Sequence, residues 1–222
     1  LKEFPGRHRP GRPEAAPLLA ELRSLLVLPA GHAPPERLAA ETGGLWPQDF
    51  LLLAPGDDGE LIFRGGCVCF PTSWAPEEKL GRPVTAIHAP VPTLNGTLGR
   101  RIREYLARVP AGVVGERENW GLAATAELNL HPALGRPRLT AAATPATAWL
   151  RVERQAFLPL PRSGGAAFLI RIELERLDHL AAAVPETALA LADALTSMPA
   201  EIAAYKGLTE ARPALVAALK GR

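Results

Sequence analysis

The sequence predicts one α+β domain in which helices pack around an antiparallel sheet. With 222 residues, the chain is long enough to bury a substantial core. Its 20 glycines and 23 prolines interrupt regular structure often, which favours short strands over long helical bundles. Several short runs alternate apolar and polar residues, as strands with one buried face do. We expect an N-terminal helical, proline-rich extension over residues 1–45 and a core with C-terminal helices over residues 46–222.

The N-terminal extension contains one clear helix, predicted over residues 14–28 and ending before Pro29. Four leucines share one face of this helix: Leu18, Leu22, Leu25 and Leu26. The segment that follows is loop-like, with a short helix around residues 35–41. Residues 46–53 are apolar but too few for periodicity to distinguish a strand from a buried helix.

Residues 60–70, ELIFRGGCVCF, predict a β-hairpin, because two β-rich runs flank a turn signal at Arg64-Gly65-Gly66. The second arm would place Cys67 and Cys69 on one face. Residues 83–88, PVTAIH, also alternate and predict a further strand. On that strand His88 would share a face with Val84 and Ala86.

The second half of the chain continues the alternation of helices and strands. The predicted elements are a helix over 95–109, strands over 113–124, 149–160 and 166–174, and closing helices over 185–198 and 211–220. One face of the strand 149–160 is polar in its middle and carries Trp149, Arg151, Glu153, Gln155 and Phe157. Arg154 lies on the opposite, mainly apolar face, where a buried guanidinium would need a carboxylate or carbonyl partner.

Composition excludes several functional classes. Twenty-five basic and 23 acidic residues leave no concentrated positive charge for nucleic acid. No run approaches the roughly 18 apolar residues of a membrane span, and the N-terminus has no apolar core for a secretory signal. The two cysteines, two positions apart, are not a disulfide framework, which favours a reducing, cytoplasmic compartment. Phosphate-binding and dinucleotide-binding glycine motifs are absent.

His88 is the strongest candidate for chemistry. A catalytic thiol or a zinc site at Cys67 and Cys69 is disfavoured, because the motif lacks an activating neighbour and a fourth ligand. Two interpretations of His88 remain open. It is either a hydrogen-bonded structural residue or the axial ligand of a haem, for which one neutral imidazole suffices.

Several motifs, taken together and in order, resemble the family of haem-dependent oxidative N-demethylase α subunits. They are Gln48-Asp49-Phe50, CVCFPTSW (67–74), Glu78-Lys79-Leu80-Gly81, IHAPVP (87–92), RENW (117–120), LRVERQ with LPLP (150–161) and YKG (205–207). The resemblance implies a PAS-like fold that holds haem b. It also implies O₂-dependent oxidation of a small secondary amine such as dimethylamine to the primary amine and formaldehyde. Electrons would come from NADPH through partner reductase subunits that carry FMN and an iron–sulfur cluster.

Applied to this chain, the resemblance suggests roles for a small set of residues. His88 is the candidate iron ligand, and Glu153 with Arg151 form the candidate catalytic pair, Glu153 holding a cationic amine. The candidate cofactor-binding residues are His88, Arg117, Asn119, Trp120, Arg154 and Gln155. For Glu153 an internal ion pair with an arginine remains an alternative, as does plain core packing for Trp120. Two other functions also remain open, a non-catalytic PAS-type haem or gas-binding protein and a haemless relative.

Overall fold

The computed structural model describes residues 12–26, 35–92 and 112–221, together with Glu104 and Pro110. Most of the helix predicted over 95–109 lies outside this range, and His8 and His32 lie entirely outside it. The helices are α1 (Ala15–Leu25), α2 (Pro35–Leu45), α3 (Pro76–Lys79), α4 (Val84–His88), α5 (Leu177–Ala183), α6 (Pro185–Ser197), α7 (Ala200–Tyr205) and α8 (Arg212–Leu219). The strands are β1 (Asp49–Pro55), β2 (Leu61–Cys67), β3 (Gly115–Ala123), β4 (Trp149–Leu160) and β5 (Gly165–Arg176).

The five strands form one antiparallel sheet in the order β2-β1-β5-β4-β3. The long hairpin of β4 and β5 is its centre, with twelve paired positions from Trp149 opposite Arg176 to Leu160 opposite Gly165. Strand β3 lies at one edge and β2 at the other. The predicted PAS-like α+β fold is therefore confirmed, as are the strand positions of β3, β4 and β5.

The predicted hairpin at Arg64-Gly65-Gly66 is wrong, because these residues lie inside β2. The true turn lies between β1 and β2, where the amide of Gly56 bonds the carbonyl of Glu60. The pairing slips between Leu52 and Leu53, so the two glycines mark a β-bulge rather than a turn. Gly66 is required there, since a Cβ would lie 2.1 Å from the carbonyl oxygen of Phe50.

One face of the sheet, which we call the helical face, carries two apolar clusters. The first joins α1 to β1 and β5 around Leu18, Leu22 and Phe50, and it includes Cys67. The second joins the C-terminal helices around Leu195 and Leu215, with Trp120 packed against it. Leu25 was predicted on the buried face of α1 but is 49% exposed.

Helix α1 is fastened to the β4–β5 turn by a buried carboxylate. Glu21 accepts hydrogen bonds from the amides of Arg162 and Ser163, at 3.0 and 2.7 Å, and from the Ser163 hydroxyl. The side chain is only 5% exposed. Its hydrogen bonds therefore satisfy turn amides that α1 covers.

The opposite face, which we call the site face, is covered by residues 68–92, the described segment that follows β2. Its core contains Leu51, Phe63, Phe157 and Ile170, with Trp74 and residues of α4 packed against it. The same segment covers the outer edge of β2, because the amide of Phe63 donates to the carbonyl of Arg82 and that of Gly81 to Phe63. No helix in the described part of the chain is long and apolar enough to cross a membrane.

Candidate functional site

His88 lies on a short helix, α4, and the predicted strand there is wrong. Pro83 precedes the helix in an extended conformation, and five residues are too few for apolar spacing to separate a helix from a strand. Helical geometry changes the neighbours of His88 on its own segment. Val84 and Ile87 pack on the core of the site face, and Val84, four positions before His88, lies beside it on the same side of the helix.

The His88 imidazole is half-buried, and burial lowers its pKa, with the nearby charge of Arg117 lowering it further. Among the described residues, no side chain hydrogen-bonds to it. At neutral pH the ring is therefore uncharged and keeps a nitrogen lone pair available.

Glu153 is the centre of a polar network on the site face of β4. Its Oε1 accepts a hydrogen bond from the Thr72 hydroxyl at 2.5 Å. Its Oε2 accepts from Gln155 Nε2 at 2.7 Å and from Asn119 Nδ2 at 3.3 Å. Antiparallel pairing causes this convergence, because Asn119 lies opposite Glu153 and the side chains of Glu153 and Gln155 project to the same face.

Each donor to Glu153 is itself held by a cation. Arg151 Nε donates to Thr72 Oγ1 at 3.0 Å, and Arg117 Nε donates to Gln155 Oε1 at 2.6 Å. Lys206 Nζ donates to Asn119 Oδ1 at 3.2 Å and to the carbonyl of Trp120. Three positive side chains therefore surround the carboxylate, each one residue removed from it.

Arg151 is a buried structural cation. It is 1% exposed, and one terminal nitrogen, Nη2, donates to the carbonyls of Phe70 and Leu128, each at 2.9 Å. Burial lowers its pKa, which the charges of Glu153 and Asp49 counteract. The other terminal nitrogen, Nη1, is buried without a hydrogen-bond partner. Arg151 joins the loop after β2 to β4.

Asp49 fixes that loop from the first residue of β1. Its two oxygens accept the amides of Cys69 and Phe70, both at 2.8 Å, and the side chain is 4% exposed. Burial, with a smaller contribution from the charge of Glu153, raises the Asp49 pKa to about 6 despite these bonds and the charge of Arg151. The loop then passes through Ser73, which has a φ of 58°. Asp49 thereby supports the position of Thr72.

The structure brings six of the predicted site residues to the site face: His88, Arg117, Asn119, Arg151, Glu153 and Gln155. Trp120 and Arg154 lie on the helical face. Trp120 packs against the C-terminal helices, as its alternative interpretation proposed. Arg154 is exposed and pairs with Glu173 at 2.9 Å and with Glu118. A carboxylate was expected at Arg154, and two are present, although this stretch of the sheet is open to solvent.

Three residues of the network were not predicted from the sequence: Asp49, Thr72 and Lys206. Each is separated from its partners by 20 to 87 positions, so no local spacing indicates them. All three lie inside motifs that carried the family resemblance. Cys67 is a core residue and Cys69 packs partly buried beside it, with their Sγ atoms 3.7 Å apart, and the Cys69 contact together with burial raises the Cys67 pKa.

No group of three or more His, Cys, Asp or Glu side chains within the described ranges suits a metal ion. A sequence model of the family described as "Haem-dependent oxidative N-demethylase, alpha subunit-like" matches residues 25–216. The match includes every residue of the network.

Proposed function

The chain belongs to the haem-dependent oxidative N-demethylase, alpha subunit-like family, and we propose that it is the haem-binding subunit of an amine-oxidising enzyme. The substrate class is a small secondary amine such as dimethylamine, oxidised with O₂. A partner reductase supplies the electrons. The observation that carries the proposal is the placement of a neutral imidazole, a cation and a hydrogen-bonded carboxylate on one face of the sheet.

The donor set of the site face fits haem. Porphyrin supplies four nitrogens, so one neutral imidazole completes the minimum ligation, and the lowered pKa of His88 favours that form. Arg117 is close enough to influence the His88 pKa, and its terminal nitrogens bond no described side chain. A guanidinium in this position is suited to a haem propionate. His88 and Arg117 are therefore the residues that would hold the group.

Glu153 is the proposed anchor for the amine. An ionised carboxylate has about four acceptor sites, and three are taken by Thr72, Gln155 and Asn119. The remaining site would accept one N–H of an ammonium and fix the substrate nitrogen relative to the cofactor. Bound haem would supply the O₂-dependent oxidation of the N-methyl group, which yields formaldehyde and the primary amine.

In this proposal, electrons reach the site from a partner reductase. Its two cysteines cannot ligate an iron–sulfur cluster by the usual four thiolates, and no dinucleotide-binding glycine motif is present. We accordingly assign NADPH, FMN and the iron–sulfur cluster to the proposed partner reductase. The two free thiols favour a reducing, cytoplasmic location for the assembly.

An absorption spectrum of the purified chain tests haem binding. We expect a Soret band that is lost in His88→Ala and kept in His179→Ala, a control at an exposed histidine. Protein that stays colourless after haem addition would contradict the proposal and favour a haemless relative. A Soret band that persists in His88→Ala would contradict the ligand assignment.

Dimethylamine separates an enzyme from a non-catalytic haem or gas-binding protein. We expect it to shift the Soret band and, with an artificial reductant and O₂, to yield formaldehyde. Normal haem binding with no response to any small amine would refute the demethylase activity.

A further inference from the structure

Every hydrogen bond around Glu153 is donated toward it: each cation donates to a neighbouring side chain, and that side chain donates to Glu153. Lysine and the arginine guanidinium donate only, so their partners must present an oxygen to them. Lys206 therefore fixes Oδ1 of Asn119, and Arg117 fixes Oε1 of Gln155. The amide nitrogens are left to face Glu153, at 3.3 and 2.7 Å.

Thr72 obeys the same constraint. Its hydroxyl oxygen accepts from Arg151 Nε, so its one proton is available for Glu153 Oε1. In an isolated carboxylate site, an amide could rotate and offer its oxygen to a ligand. Here that rotation would place an oxygen against the carboxylate and an NH₂ group against a cation.

We propose that Lys206, acting through Asn119, is a positioning residue that makes the Glu153 site selective for cations carrying an N–H group. The proposal deepens the proposed function and rests on it. Three cation-fixed donors hold Glu153 in one orientation and occupy three of its acceptor sites, so a ligand meets only the fourth. A ligand that brings a hydrogen-bond donor completes the set, whereas a ligand without one leaves the last acceptor unsatisfied.

Lys206 is the member of this set that can be altered with least disturbance to the sheet. Arg151 is buried and Arg117 is proposed to touch haem, whereas Lys206 reaches the edge strand β3 from the end of α7. Besides the Asn119 bond, its Nζ lies 5.7 Å from the centre of the Trp120 ring. Burial lowers its pKa, and the charge of Glu153 counteracts that effect.

The orientation of Asn119 tests the positioning role without any ligand. The experiment uses the full chain labelled with ¹⁵N, any bound haem being held in its diamagnetic ferrous carbonyl form. We compare the Asn119 side-chain amide signals of the wild type with those of Lys206→Met, Lys206→Arg and Lys220→Met. Lys220 forms a separate ion pair with Asp193 and is the matched control.

We expect Lys206→Met to shift the two Asn119 Nδ2 protons and to speed their exchange with water. Lys206→Arg should restore the wild-type pattern, and Lys220→Met should leave it unchanged. An Asn119 amide that is identical in the wild type and Lys206→Met would overturn the positioning role.

Calorimetric titrations with dimethylammonium and tetramethylammonium chlorides test selectivity. Both ions carry one positive charge, but only dimethylammonium has N–H groups. We expect the wild type to prefer dimethylammonium by about tenfold, the value of one charge-assisted hydrogen bond, and Lys206→Met to lose most of that preference. Lys206→Arg should recover it.

The outcomes separate the two proposals. Equal binding of both cations by the wild type would overturn the inference while leaving an anionic amine site intact. Binding of neither cation would contradict the proposed function, and the selectivity with it.

Discussion

Two buried carboxylates hold two parts of this molecule in the same way, yet their pKa values move in opposite directions. Glu21 and Asp49 are 5% and 4% exposed, and each accepts two consecutive backbone amides. Glu21 fastens α1 to the β4–β5 turn on the helical face. Asp49 fastens the loop after β2 on the site face. Glu21 therefore contributes to stability, whereas Asp49 contributes to stability and also supports the candidate site.

The causes of the two shifts explain the difference. Burial raises the Glu21 pKa, but the Ser163 hydroxyl, the two amides and the charge of Arg162 together lower it below its usual value. At Asp49 burial prevails over the amides and Arg151, and the pKa rises to about 6. Glu153 adds a like charge at Asp49 alone. Perturbation of this kind is characteristic of functional sites.

The largest effect is expected from Asp49→Ala. The amides of Cys69 and Phe70 would lose their acceptor, so we expect the free energy of unfolding to fall by about 4 kcal/mol. Thr72 would lose one of its two supports, since Arg151 still holds it, and amine binding should weaken. Chemical denaturation and dimethylammonium titration measure the two effects. Asp57→Ala, at an exposed position of the β1–β2 turn, is the control, and an equal loss there would contradict the role of Asp49.

The raised pKa of Asp49 predicts the next largest effect, a loss of stability with rising pH. Between its ordinary value of 3.8 and about 6, the unfolded chain ionises this group before the folded one does. The unfolding free energy of the wild type should therefore fall by about 2 kcal/mol relative to Asp49→Asn between pH 4 and pH 7. Denaturation series for both proteins across this range measure it. A constant difference would refute the raised pKa.

Glu21→Gln should have a smaller effect with the opposite pH dependence. A lowered pKa stabilises the folded chain above the ordinary value of 4.5, and this contribution is lost as the pH falls through the folded value. We expect a loss of about 1–2 kcal/mol at pH 7 that diminishes in acid. The site should be unaffected, and weaker amine binding in Glu21→Gln would contradict the separation of the two regions.

The smallest effect is expected from Ser163→Ala, which removes one of the three donors to Glu21. The two backbone amides remain, so the loss should be about 1 kcal/mol. Thermal unfolding at pH 7 measures it. In Glu21→Gln the same substitution should have less effect, since the two groups act together, and strict additivity would argue against their coupling.

The sequence was most informative where strands are long. Twelve residues of β4 carry enough alternation to place Arg151, Glu153 and Gln155 on one face and Arg154 on the other, and the structure agrees. Residues 83–88 are too few to reveal a period, and a helical turn there replaced the predicted strand. Gly65-Gly66 has the composition of a turn, but a close approach to β1 explains it.

The candidate site was only partly predictable for a different reason. Glu153 and its strand neighbours follow from alternation, whereas Thr72 reaches Glu153 across 81 positions and Lys206 reaches Asn119 across 87, through the packing of loop and helix. Such contacts depend on how the loop and the helix pack in three dimensions, and no local pattern in the sequence indicates them. Only their position within the motifs that resemble the family indicated a role for them.

The two edges of the sheet differ in whether other backbone covers them, and this difference affects the tendency to aggregate. Backbone from Gly81 to Pro83 covers β2, whereas in the described part of the chain no strand pairs with the outer side of β3. An open edge invites a strand from another molecule, and charged side chains discourage that pairing. Glu116, Arg117 and Glu118 supply such charges next to the exposed Val113 and Val114. A charge at Arg117 therefore discourages strand pairing at this edge as well as serving the proposed site, so a redesign of ligand preference should keep a charge at that position.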